Sequence, residues 1–172
     1  MRKKLSTFLG LATVVLAGLI GGWMIWISMK SQALVQPQES AISNYGLEIR
    51  EIKVGEKWIR VELAKTDIER AKGLSGRPSL SPNTGLLFIF PRPSYYSFWM
   101  KDMKIPLDLI WIDESWMVID ITRNVSPDTY PLGYQPRQAA KFVLEVNAGW
   151  AKENGVNLGT QAHLANVDQK GF

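Results

Sequence analysis

Apolar and polar residues alternate through residues 57–64, with Ile59, Val61 and Leu63 on one side and Arg60 and Glu62 on the other. A period of two predicts a strand with one buried and one wet face. Residues 47–54 predict its partner, and Gly55-Glu56 makes the tight turn between them. Thr66-Asp67-Ile68-Glu69 then has the form of a capping box, in which the threonine hydroxyl and the glutamate carboxylate each satisfy a backbone donor of the other. Gly73 supplies a stop, so residues 67–72 are expected to form a short helix.

The pattern loosens over residues 73–85, a loop containing Gly76, Pro78, Pro82 and Asn83. Loops of this length inside a compact domain often carry function. Residues 86–90 read as a buried strand ended by Pro91-Arg92-Pro93, because proline cannot donate to a sheet. Residues 95–101 and 107–113 are the next strands, meeting at a corner that contains Pro106. Residues 116–125 alternate after a hairpin tip at Glu114-Ser115, with Met117, Ile119 and Ile121 expected to face inward. Residues 139–146 place Phe142, Leu144 and Val146 on one side. Asn147 is expected to cap a short helix through Asn154, and residues 160–167 form the last strand. The expected fold is mainly β, an antiparallel sandwich or jelly-roll-like domain with two short helices. No βαβ rhythm points to a doubly wound parallel sheet.

Ahead of this pattern, residues 5–29 contain no charged residue. About 20 apolar residues span a bilayer, so the run predicts one transmembrane helix. Arg2, Lys3 and Lys4 precede it, and this positive bias places the N-terminus in the cytoplasm and the domain outside. A cleaved signal peptide is the competing reading, with Ser31-Gln32-Ala33 as its site, but its apolar core would be shorter. The expected organisation is a cytoplasmic tip and anchor over 1–30, a linker over 31–45, a β-rich extracytoplasmic domain over 46–168 and a tail over 169–172.

Charge and composition narrow the function. The formal net charge is +4, but Arg2, Lys3, Lys4 and Lys30 account for it; elsewhere Lys and Arg balance the 16 Asp and Glu. A balanced domain has no basic footprint for phosphates, so no nucleic-acid partner is expected. The chain has no cysteine, which excludes disulfides and thiolate chemistry. His163 is its one histidine, and a structural zinc site is not expected. No metal or other cofactor is expected either; no calcium-loop or glycine-rich phosphate motif occurs.

Carboxylates, cations and aromatics remain. Asp102 and Asp108 flank the corner with Lys101 beside them; Arg77 lies in the long loop; Glu145 and Asn147 share one face of the late strand. A carboxylate inside a sheet domain must be paired or hydrogen-bonded. One reading is therefore a structural ion pair, Arg77 with Asp108 or Glu145. Asp108 is expected to be ionised and shielded, with Arg77 its first partner and Lys101 its second, because arginine binds a carboxylate through two parallel hydrogen bonds. The other reading is a small polar pocket with Trp99 as a wall, since aromatic faces beside carboxylates suit a saccharide as well as a core.

Several of these segments occur together in one known family. Gly73-Leu74-Ser75-Gly76-Arg77-Pro78, Gly85-Leu86-Leu87-Phe88-Ile89-Phe90, Phe98-Trp99-Met100-Lys101, Ile105-Pro106-Leu107-Asp108 and Val143-Leu144-Glu145 resemble the prokaryotic family catalogued as domain of unknown function 192. The resemblance implies a compact β domain of jelly-roll type, often exported, with no established activity. The chain departs from the family pattern with Asp102-Met103 where asparagine-threonine is usual, Ser115-Trp116 where the hairpin carries glycine, and Gly159-Thr160 where glycine-aspartate is usual.

The expected function is a non-enzymatic envelope module that binds a small polar ligand or glycan, using Arg77, Trp99, Lys101, Asp102, Asp108, Glu145 and Asn147. A carboxylate-dependent hydrolase of envelope glycans is one alternative. Docking onto another membrane protein, its identity unknown, is the other.

Overall fold

The computed structural model describes residues 42–165. The expected anchor at 5–29 lies outside them; among the described residues no helix is long and apolar enough to cross a membrane.

Strands β1 (Ile49–Val54) and β2 (Lys57–Ala64) form the expected hairpin. Helix α1 (Asp67–Lys72) follows with its capping box in place. The Glu69 N–H donates to the Thr66 hydroxyl at 3.2 Å, and the Thr66 N–H donates to Glu69 Oε2 at 2.8 Å. Gly73, at φ 49°, stops the helix. The chain then makes β3 (Thr84–Ser94), β4 (Phe98–Trp99), β5 (Leu107–Ile112) and β6 (Val118–Val125). A 3-10 turn at Pro127–Thr129 leads to β7 (Gly133–Tyr134), β8 (Ala140–Asn147), α2 (Trp150–Glu153) and β9 (Ala162–Leu164).

Among the described residues, mainly β with two short helices holds; the sandwich does not. Seven strands form one sheet in the order β6-β5-β8-β3-β2-β1-β9, with β4 and β7 as a separate two-stranded flap. β2 and β3 run parallel, joined by α1 and the long loop, so a single crossover of βαβ form exists within an otherwise antiparallel sheet. The sheet curls until its ends meet: Met117 bridges Gln161, and backbone bonds join Trp116 and Val118 to residues 159–162. One curled sheet solves the burial problem that two stacked sheets would otherwise solve.

The inner face gathers Ile52, Val61, Leu87, Ile110, Phe142 and Leu144 into one apolar cluster. Central strands β3, β5 and β8 are apolar on their outer face too, where Leu86, Phe88, Leu109, Trp111 and Val143 form a second cluster. The loop after α1, α1 itself and the β4–β7 flap cover that outer face. Burial on both sides explains why these strands read as continuous apolar runs.

Local expectations failed for identifiable reasons. Pro91 and Pro93 do not end β3, which runs to Ser94; the irregularity between Ile89 and Ser94 in its pairing with β8 accommodates them. The strand expected over 95–101 shrinks to Phe98–Trp99. Two register shifts against β5 turn β6, so Val118 and Ile121 join the inner cluster and Ile119 the outer one. Among the described residues the last strand is Ala162–Leu164, starting two residues later than expected; residues 166–167 of the expected strand lie outside the described residues. Asn147 belongs to β8 and caps nothing; Gly149, at φ 88°, stands at the start of α2. Trp116 takes a left-handed φ of 63°. Its ring is buried and stacks on Phe142 at 4.0 Å, which offsets a backbone cost of about 1–2 kcal/mol.

Candidate functional site

Phe88 and Phe90 are two residues apart on β3, so both side chains leave the outer face. Tyr96 and Phe98 come across from the flap segment. Tyr96 stacks on Phe90 at 3.6 Å between ring centres, and Phe98 meets Phe88 and Trp111 edge-on at 4.8 and 5.3 Å. Phe88, Phe90, Tyr96 and Phe98, with Trp99 and Met103, wall a cleft of about 290 Å³ between α1 and the flap. Arg70, Lys72, Ser75 and Ser97 also line it.

Glu145 lies against this apolar space. It points from β8 to the outer face, between Leu86 of β3 and Leu109 of β5 in register, and is 7% exposed. Its Oε2 is buried and has no hydrogen-bond partner among the described residues. Burial disfavours the charged form and pushes the carboxyl up to about 8; the field of Arg77 opposes this but does not reverse it. Glu145 therefore carries its proton at neutral pH.

Arg77 is buried and grips Glu62, not Asp108 or Glu145, with Nη1–Oε1 and Nη2–Oε2 distances of 2.6 and 2.8 Å. Glu62 had read as solvated because it alternates with the inner residues of β2. That alternation places it on the outer face, where the long loop covers it. A polar groove of about 480 Å³ opens beside this pair and Tyr45. Its Arg77 and Glu62 charges already satisfy each other, so it offers less chemistry than Glu145.

Asp108 corrects the central expectation. It is fully buried, but its side chain shares the inner face with Ile110 and Ile112, so the sheet separates it from the cleft. No cation holds it. The Asn124 N–H donates to Oδ1 at 2.8 Å and the Ala151 N–H donates to Oδ2 at 3.0 Å. Asp108 thus ties α2 and β6 to β5, the work of a helix cap done from a distant strand.

The other expected site residues divide by location. Trp99 is 59% exposed on the cleft wall. Lys101 and Asp102 present exposed side chains and act through their backbone: the Lys101 carbonyl accepts from the Ser75 hydroxyl at 3.0 Å and the Asp102 carbonyl from the Gly76 N–H at 2.8 Å. Asp102 has φ 57°, a left-handed conformation that aspartate tolerates better than most residues. Asn147 Nδ2 donates to the Leu80 carbonyl at 3.0 Å and pins the long loop. Of the seven, Trp99 and Glu145 line the cleft. The period-two pairs Phe88/Phe90 and Tyr96/Phe98 were the available signal for the walls that sequence reasoning missed.

Known proteins resemble this chain over most of the described residues. The family model of DUF192, described as an uncharacterised ancient conserved region, matches residues 50–164. A UPF0127 protein of Pyrococcus abyssi is 32% identical over 106 residues, covering 60% of this chain and 85% of the relative. A Novosphingobium aromaticivorans protein of unknown function has a crystal structure that superposes with a TM-score of 0.69 at 30% identity, over 74% of this chain and 94% of that one. A candidate transcription regulator from Sinorhizobium meliloti 1021 gives 0.67 at 28% identity, over 70% and 97%.

Proposed function

The chain belongs to the DUF192 family of uncharacterised proteins, and we propose that its outer cleft is a non-enzymatic binding site for a small ring compound with a polar head. The observation that carries this reading is Glu145 Oε2, buried and without a partner against an aromatic cleft. Leaving such a group unsatisfied costs about 1–3 kcal/mol, and a ligand head that bonds to it recovers that cost. The volume lies near the lower end for small-molecule sites, of order 300 Å³, and the mixture of apolar wall and a few polar groups is typical of them.

Binding fits better than hydrolysis. Glu145 is the one carboxylate among the residues lining the cleft, whereas glycosidic acid–base work uses a second about 5–9.5 Å away. A saccharide stacked on Trp99 is the second reading, favoured by the exposed indole. The apolar run at 5–29 supports tethering the module to a membrane with the domain outside; protease added to intact spheroplasts should then remove a C-terminal tag, and protection of the tag refutes that placement.

The cleft is tested with the full chain in lipid nanodiscs, by calorimetric titration of phenylacetate, phenylacetamide, phenethylamine and methyl β-glucoside. At least one is expected to bind, and Trp99→Ala, a change at an exposed side chain, should weaken it. No binding by any of the four, or binding indifferent to both Trp99→Ala and Glu145→Gln, overturns the reading.

A further inference from the structure

We propose that the cleft selects a ring compound bearing a carboxylate, held between the Glu145 carboxyl and the cationic rim; this rests on the binding role proposed above. The charges facing the site favour an anion. Arg70 and Lys72 line it from α1, Arg77 acts on Glu145 from the long loop although its charge is already met by Glu62 at 2.6 Å, and Tyr96 is the remaining ionisable group on the lining. From the strands beside Glu145 the register neighbours are Leu86 and Leu109, which carry no charge. Arg70 is largely committed: it donates to the Ile89 carbonyl at 2.8 Å, pairs with Asp67 at 2.5 Å and lies over the Phe90 ring at 5.2 Å. Lys72 is exposed at the rim and supplies the attraction.

Head groups differ in what they do with Glu145. Its burial pushes it up to about 8, so at neutral pH it donates an O–H. A carboxylate accepts that bond as a charge-assisted one and also meets the Lys72 ammonium. A neutral amide accepts a weaker bond and gains little from Lys72. An ammonium can donate only to the carbonyl oxygen of the protonated acid, without an ion pair, and the cationic rim repels it. Above about pH 8 the ranking changes, because Glu145 loses its proton and two carboxylates would face each other.

Phenylacetate, phenylacetamide and phenethylamine share one ring and differ in the head, which makes them the probes. At about pH 6.5, below the Glu145 value and above that of a free carboxylate, phenylacetate should bind about tenfold or more tighter than phenylacetamide, with phenethylamine weakest. By about pH 9.5 the phenylacetate advantage should be gone. Glu145→Gln keeps an N–H donor and should keep phenylacetate binding while removing its pH dependence. Lys72→Gln, at an exposed position, should weaken phenylacetate and leave phenylacetamide unchanged. Tightest binding by phenylacetamide or phenethylamine at the lower pH, or a phenylacetate preference unchanged at the higher one, overturns the carboxylate assignment while leaving the cleft a binding site. Failure of all three probes and of methyl β-glucoside overturns both.

Discussion

Arg77 forks onto Glu62 at 2.6 and 2.8 Å while the Tyr45 ring centre lies 3.7 Å from its guanidinium carbon. The guanidinium is 5% exposed, so its charge depends on that partner. Glu62→Gln should cost about 3–5 kcal/mol in urea unfolding by leaving a buried cation unpaired. Replacing both, with Arg77→Met and Glu62→Leu, should recover most of the loss. A single-mutant loss below about 1 kcal/mol would show that water reaches the pair.

Asp108→Asn should cost less, about 1–3 kcal/mol, because no cation is left behind. The new amide keeps one acceptor oxygen, so one of the two N–H groups at Asn124 and Ala151 loses its partner. Hydrogen exchange should accelerate at one of those amides ahead of the rest of the sheet. Unchanged protection at both would remove Asp108 as the tie between α2 and β6.

Glu145 makes stability fall with rising pH. Its folded value, about 8, lies above the ordinary 4.5, so between these the folded chain holds a proton that the unfolded chain releases. The contribution is full below about pH 4.5 and lost as pH rises through about 8. Thermal unfolding should therefore show a decline over that window amounting to a few kcal/mol, and Glu145→Gln should flatten it. An equal decline in the variant would assign it to other groups.

Gly85→Ala should disturb the cleft from below. A Cβ there would lie 2.6 Å from the Glu145 carbonyl oxygen, and 3.1 Å from both Leu144 Cδ1 and Val146 Cγ1. Backbone cannot yield as a side chain does, so the change should cost about 1–3 kcal/mol and weaken ligand binding as β8 shifts. Gly133→Ala is the control. Its Cβ would meet the rotatable Ser97 hydroxyl at 2.6 Å, and it should cost less than about 1 kcal/mol.

Local chemistry was legible in the sequence where the chain's own neighbours decide the outcome. The Thr66–Glu69 box, the Gly73 stop and the alternation of β2 all lie within a few residues of their partners. Pairing across the fold was not. Alternation placed Glu62 and Glu145 correctly on the outer face, yet nothing local revealed that Arg77 would choose the first and leave the second alone. Asp108 was rightly read as shielded, but its partners are backbone amides 16 and 43 residues away, and any residue type supplies those. The parallel pairing of β2 with β3 was hidden because one short helix and an irregular loop do not make a βαβ rhythm.

The seam between Met117 and Gln161 sets an order of assembly. Leu164 lies beside Ile52 and the Thr160 carbonyl accepts from Val118, so the ring closes through residues 159–164. Contacts this distant in sequence form late, because chain entropy is spent before they repay it. A nascent chain stalled before residue 159 would be an open ribbon with β1 and β6 both presenting bare edges, each a template for a neighbouring strand. For this protein, then, incomplete synthesis and self-association are two outcomes of the same unfinished joint.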